Sequence, residues 1–209
     1  MLLCGLVNSF KKMKNSKLKL RNVIATAICL CSLSVFVGLA FVSAVPATSQ
    51  PVAELSLTFT RQSGSGSNQF AVWIEDVQGR YITTLYATAF TANGGWQRRA
   101  SSLPLWVKQS GISTTENFPV DGFTGATPGA GSLTYSWDGT DSRGVAVPAG
   151  RYVIFLEGTL RGENQVIYRV PIQTGRRRPA QPTVSVEYVG TPPGDERGMI
   201  SNVTARVLQ

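Results

Sequence analysis

Beyond residue 44 the sequence divides into short β-prone runs separated by clusters of Gly, Pro, Asn, Asp and Ser, and this spacing constrains the fold more than any other feature. Of the 209 residues, 19 of the 21 Gly and all 11 Pro fall in residues 45–209, so the stretch is rich in turn formers. Residues 54–61 alternate, Leu55, Leu57 and Phe59 against Ser56, Thr58 and Thr60, the period of a half-buried strand. After a Gly/Ser turn at 64–67, residues 70–76 place Val72 and Ile74 on one face and Ala71 and Trp73 on the other. Val77-Gln78-Gly79-Arg80 then turns into a run over 81–88. Further strands are expected near 133–137, 150–157, 165–172, 183–188 and 200–207. No segment of this part carries a convincing helical stripe. The expected fold class is all-β, one sandwich domain over residues 45–209. Residues 89–128 resist the pattern: Asn93-Gly94-Gly95, the basic Arg98, Arg99 and Lys108, and Trp96 and Trp106 sit in an irregular stretch. Long irregular stretches inside compact domains are more often functional than idle.

Residues 1–44 differ in kind. Six basic residues and no acid lie in 1–22, followed by an uncharged apolar run over 23–42 and by Val42-Ser43-Ala44. This is the layout of an export signal cut after Ala44. It is equally long enough to remain as a membrane anchor through residues 23–42, with the basic flank in the cytoplasm. Either way residues 45–209 work outside the cytoplasmic membrane. They hold fourteen basic and twelve acidic residues, so the +8 of the whole chain belongs mostly to the N-terminus, and a nucleic-acid partner is not expected. The three cysteines (Cys4, Cys29, Cys31) also precede residue 45, and the chain has no His. That excludes Ser-His and Cys-His catalysis, imidazole or thiolate metal sites, and disulfides from the exported part.

Residues 137–152, Trp137-Asp138-Gly139-Thr140-Asp141-Ser142-Arg143-Gly144-Val145-Ala146-Val147-Pro148-Ala149-Gly150-Arg151-Tyr152, resemble the W-D-G-x-D-x-x-G-x-x-V-P-x-G-x-Y hairpin of immunoglobulin-like domains such as that of the flagellar hook-capping protein. The resemblance implies an immunoglobulin-like sandwich, here preceded by the N-terminal signal or anchor helix. Asp138 and Asp141 suit turns by bonding their own backbone, and Gly139 and Gly144 permit positive φ. This motif speaks for a fold and not for a function.

Asp121-Gly122-Phe123-Thr124-Gly125-Ala126-Thr127 resembles the acceptor motif for covalent flavin attachment, D-x-x-[ST]-G-A-T. The resemblance implies that an FAD:protein FMN transferase places FMN on the Thr127 hydroxyl as a phosphoester, with Asp121, Thr124, Gly125 and Ala126 as recognition positions. Such an acceptor has to enter another protein's active site. Gly122 and Pro128-Gly129 are expected to keep it out of a sheet ladder, and Pro128 to hold Thr127 extended. The order of alternating strand, Val72–Asp76 run, arginine- and Trp-bearing loop, Gly-Ala-Thr and Trp-Asp-Gly-Thr-Asp hairpin resembles a family of predicted periplasmic proteins filed as domain of unknown function 2271. That resemblance implies company with PepSY-type membrane proteins or a membrane flavoreductase in extracytoplasmic electron transfer. The expected protein is therefore an electron carrier rather than an enzyme. Arg98, Arg99 or Lys108 are candidates to face the flavin phosphate, and Trp96, Trp106 or Phe123 to shield the ring. Core packing is the alternative for both tryptophans, and a solvated loop for the arginines. The rival function is a non-redox binding or scaffolding module of the cell envelope. A hydrolase would need two converging acids such as Glu75 and Asp76 or Glu116 and Asp121.

Overall fold

The computed structural model describes residues 50–64, 68–177 and 181–208. The expected signal or anchor over 1–44 lies outside the described residues. β1 (Ala53–Phe59) buries Ala53, Leu55, Leu57 and Phe59 and half-exposes the residues between, as its alternation demands. It pairs antiparallel with β5 (Gly131–Trp137) on one side and β9 (Ile200–Val207) on the other, giving a three-stranded sheet. The second sheet has six strands in the order β4 (Thr124–Gly125), β3 (Tyr81–Thr88), β2 (Gln69–Asp76), β6 (Arg151–Thr159), β7 (Gln165–Gln173) and β8 (Ser185–Val189). Every pairing in it is antiparallel except β3 with β4.

Both sheets feed one core. Leu55, Leu57 and Phe59 of β1 join Phe70, Val72 and Ile74 of β2, Ile154 and Leu156 of β6, and Val166 and Val170 of β7. The Tyr168 hydroxyl donates to the Ile200 carbonyl at 2.7 Å and ties the large sheet to the small one. At one end the turn from β5 to β6 closes the core: Trp137 is buried, its ring stands edge-on to Tyr152 at 4.9 Å, and its Nε1 donates to the Thr140 carbonyl at 2.9 Å. Asp138 Oδ1 accepts from the Thr140 N–H and hydroxyl, and Asp141 Oδ1 from the N–H groups of Arg143 and Val145. Gly139 and Gly144 take φ of +81° and +76°. The two aspartates are turn residues here.

β2 is buried on both faces, which explains its continuous burial. Ala71 and Trp73 face away from the first core into a second one, with Ala87, Ala92, Leu103, Trp106 and Ile112. The covering layer is the irregular stretch between β3 and β5. A helical turn, Thr91–Gly95, leads into α1 (Trp96–Arg98), and α2 (Pro104–Ser110) follows. A further short helix, α3 (Gly194–Arg197), precedes β9. The stretch expected to be irregular thus holds a short helix without a helical stripe: α2 starts on Pro104 at its first position and stops on Gly111 at φ +73°, the punctuation of a short helix. Its anchor is Glu157 on β6, whose two carboxylate oxygens accept the N–H groups of Leu105 (3.1 Å) and Trp106 (2.7 Å). Leu103 N–H donates to Thr159 Oγ1 at 3.0 Å. These bonds satisfy donors that a helix start leaves open.

Candidate functional site

Residues 121–127 lie along the free side of β3. Ala87 pairs with Thr124 and Thr88 with Gly125 in the short parallel ladder. The expectation that Gly122 and Pro128-Gly129 keep the segment out of a ladder is thus corrected. Pro128 lacks only its own N–H and restricts only the residue before it, Thr127, and the two residues that pair lie three and four positions upstream. Ala87 N–H donates to the Phe123 carbonyl at 3.1 Å. Thr124 folds back on the turn before it, its hydroxyl and its N–H both donating to the Val120 carbonyl (2.9 and 3.2 Å). Tyr86 holds the next two residues: its hydroxyl donates to the Ala126 carbonyl at 2.8 Å, and its ring lies where a Cβ on Gly125 would stand, at 2.8 Å from Cε2.

The two ends of the motif are left open. Asp121 is exposed and Thr127 half-buried, and among the described residues neither side chain has a hydrogen-bond or ion-pair partner. The parallel register carries Thr127 off the sheet at the end where β3 passes into Phe90 and the helical turn. Phe90 is exposed there, and the guanidinium groups of Arg98 and Arg99 lie over its ring at 5.5 and 5.2 Å. Neither arginine has a carboxylate partner among the described residues, whereas Arg161, Arg169 and Arg206 each have one. Arg99 is half-buried; its Nη2 reaches Ser102 Oγ at 3.4 Å, and its Nε is buried without a partner. Burial pulls the Arg99 pKa below the usual arginine value, so this cation is desolvated and short of a counter-charge.

The tryptophans separate. Trp96 is half-buried beside Arg98 on α1 and stays a candidate for covering a ligand. Trp106 is fully buried, donates to Thr84 Oγ1 at 2.9 Å and packs edge-on to Phe123 at 6.2 Å. A ring with no exposed surface cannot stack on a ligand outside, so Trp106 is core, as are Trp73 and Trp137. Lys108 is exposed on α2. At the other end of the motif Gly122 and Phe123 line a cleft of about 400 Å³ together with Tyr81, Thr83, Thr84 and Phe118. Thr127 is not among its lining residues.

Of the acids named for hydrolysis, Glu75 and Asp76 have other work. Glu75 accepts from Trp73 Nε1 at 2.7 Å, and burial raises its pKa. Asp76 accepts the N–H groups of Gln78 and Arg80 in the turn before β3. Glu116 and Asp121 are both exposed. Among the described residues no cluster of His, Cys, Asp and Glu is arranged to hold a metal ion. Sequence reasoning missed Tyr86 and Glu157. Tyr86 reads as one more aromatic of a strand, and nothing local marks a glutamate on β6 as the cap of a helix fifty residues earlier.

A family model described as "Predicted periplasmic protein (DUF2271)" matches residues 53–190, from β1 through β8 and the acceptor-like segment. No curated protein and no solved structure matches the chain. Among the described residues no helix is long and apolar enough to cross a membrane.

Proposed function

The chain belongs to the DUF2271 family of predicted periplasmic proteins, and from that place in the cell we propose that it is a carrier of FMN bound covalently to Thr127. The observation that carries the reading is the state of the D-x-x-T-G-A-T segment: its middle is pinned to β3 while the Thr127 hydroxyl is left without a partner among the described residues. An acceptor for another enzyme needs that combination, because a threonine hydroxyl committed to the fold could not be presented. In the attachment step Thr127 Oγ1 forms a bond to the FMN phosphorus of FAD. The phosphoanhydride bond breaks, AMP leaves, and the hydroxyl loses its proton. No oxidation state changes. The transferase supplies the activation that a threonine hydroxyl lacks. Asp121, Thr124, Gly125 and Ala126 are the positions it reads.

The residues present fit the group. The phosphodiester keeps one negative charge, and Arg98 and Arg99 are cations without acid partners at the end of the sheet where Thr127 emerges. Trp96 on the same short helix as Arg98 serves as a cover for the ring. Bound flavin accepts and returns one or two electrons; the chain itself contributes attachment, charge and position. With no thiol or imidazole beyond residue 44, electrons come from and go to partners, for which a membrane flavoreductase or PepSY-type protein is the natural class. In this reading the two sheets and the 137–152 hairpin form an immunoglobulin-like sandwich that serves as the support.

Intact mass of the exported protein, co-expressed with an FMN transferase, tests the proposal. The expected result is a gain of one FMN less one water on the wild type and none on Thr127→Ala. Absence of the adduct with a transferase that loads another acceptor overturns it. The non-redox reading then stands: β8 is an edge strand exposing Val186 and Val189, the kind of surface that adds a strand from a partner.

A further inference from the structure

We infer that Tyr86 is a positioning residue for the acceptor segment, a platform that presents Thr127 to the modifying enzyme and sets the size limit at Gly125. The inference rests on the reading of Thr127 as the acceptor and adds a residue outside the motif.

Three observations meet at this side chain. Its hydroxyl donates to the carbonyl of Ala126, the residue immediately before Thr127, at 2.8 Å. Its ring fills the space beside Gly125, where a Cβ would come within 2.8 Å of Cε2 and 3.3 Å of the hydroxyl oxygen. Contacts that close do not occur between real side chains, so alanine at 125 requires the ring to move. The ring has nowhere easy to go, because Phe70 and Tyr135 pack on it with centroids at 5.0 Å each. Burial raises the Tyr86 pKa, which keeps the hydroxyl a donor throughout the neutral range.

Geometry makes the consequence specific. The ladder with β3 ends at Gly125, and the Val120 carbonyl holds only Thr124 and the residue before it. Between Gly125 and Pro128 the Tyr86 bond is the only side-chain hydrogen bond among the described residues. Remove it and Ala126 and Thr127 extend from the edge of the sheet with no side chain holding them, restricted only by Pro128 after Thr127. A segment already held in one conformation loses less entropy when it enters a partner's site. Tyr86 therefore acts on how tightly the transferase engages the chain and not on the transfer itself.

The test is steady-state flavinylation of the full mature protein by a purified FMN transferase with FAD, following mass gain over a range of acceptor concentrations. Tyr86→Phe keeps the ring and deletes the hydroxyl. It is expected to raise KM about fivefold, the effect of one hydrogen bond, with kcat within about twofold. Tyr135→Phe, whose hydroxyl makes no hydrogen bond to the motif among the described residues but whose ring packs on Tyr86, is expected to load like the wild type. Backbone dynamics of the unmodified proteins supply a second readout: the amide order parameters of Ala126 and Thr127 are expected to fall in Tyr86→Phe, with β1 and β6 unchanged. Equal KM values and equal order parameters in wild type and Tyr86→Phe overturn the inference. If the wild type takes up no flavin, the reading of Thr127 falls with this role, and the order parameters alone decide whether Tyr86 anchors the segment.

Discussion

Glu157 shows how one residue can govern a whole layer. Its carboxylate is buried on a central strand, and its compensation is the pair of backbone N–H groups at the start of α2. Burial outweighs those two bonds and pushes its pKa up to about 7. The folded value lies above the unfolded one, so the unfolded state releases this proton first as pH rises. The stabilising contribution is complete below about pH 4.5 and is lost by about pH 7. A shift of this size is worth about 3 kcal/mol. Urea unfolding of the mature domain is therefore expected to show higher stability at pH 5 than at pH 8. In Glu157→Gln the difference should shrink to what the buried Glu75 contributes, and at pH 5 stability should drop by about 1–3 kcal/mol because one N–H loses its acceptor. A wild-type curve flat across this range would show that the carboxylate stays charged in the fold. At the acceptor segment the same scale separates residues by partner: Thr124 and Ala126 are bonded, and Thr127 and Asp121 are open.

Elements divide by how much of themselves they carry in local sequence. β1 was readable because its alternation runs for seven residues against one core. α2 was not, because seven residues make under two turns and only Trp106 and Ser110 are buried, too few to form a stripe. Its trace in the sequence is punctuation, Pro104 and Gly111. Gly111 holds φ +73°, so Gly111→Ala is expected to cost about 1–2 kcal/mol in urea unfolding while leaving the far-ultraviolet spectrum unchanged. A neutral substitution would mean that the helix can end elsewhere. β4 is shorter still: two residues, one a glycine, have no strand propensity worth reading, and pairing with β3 alone makes them a strand.

For the whole molecule the absences in composition are as informative as the contacts. No Cys follows Cys31, so the folded part owes nothing to disulfides, and its unfolding midpoint is expected to be the same with and without dithiothreitol. A reductant-sensitive midpoint would place a thiol where the sequence has none. The sequence determined the positions of every strand but β4 to within a residue or two, the two apolar faces of β2, the turn chemistry of the 137–152 hairpin, the exclusion of thiol and imidazole chemistry, and the periplasmic family. The strands and turns are properties of local period and turn type, the exclusion is a property of composition, and the family rests on a resemblance in the order of motifs along the chain. Tertiary structure alone decided that the 89–128 stretch folds over the outer face of the large sheet, that Trp106 is core, that Glu157 caps a helix, and that the acceptor segment rests on Tyr86. Those outcomes join residues 22 to 52 positions apart, with 40 between Tyr86 and Ala126. A period shows which faces are apolar, but what covers a face is settled only when distant segments compete for it.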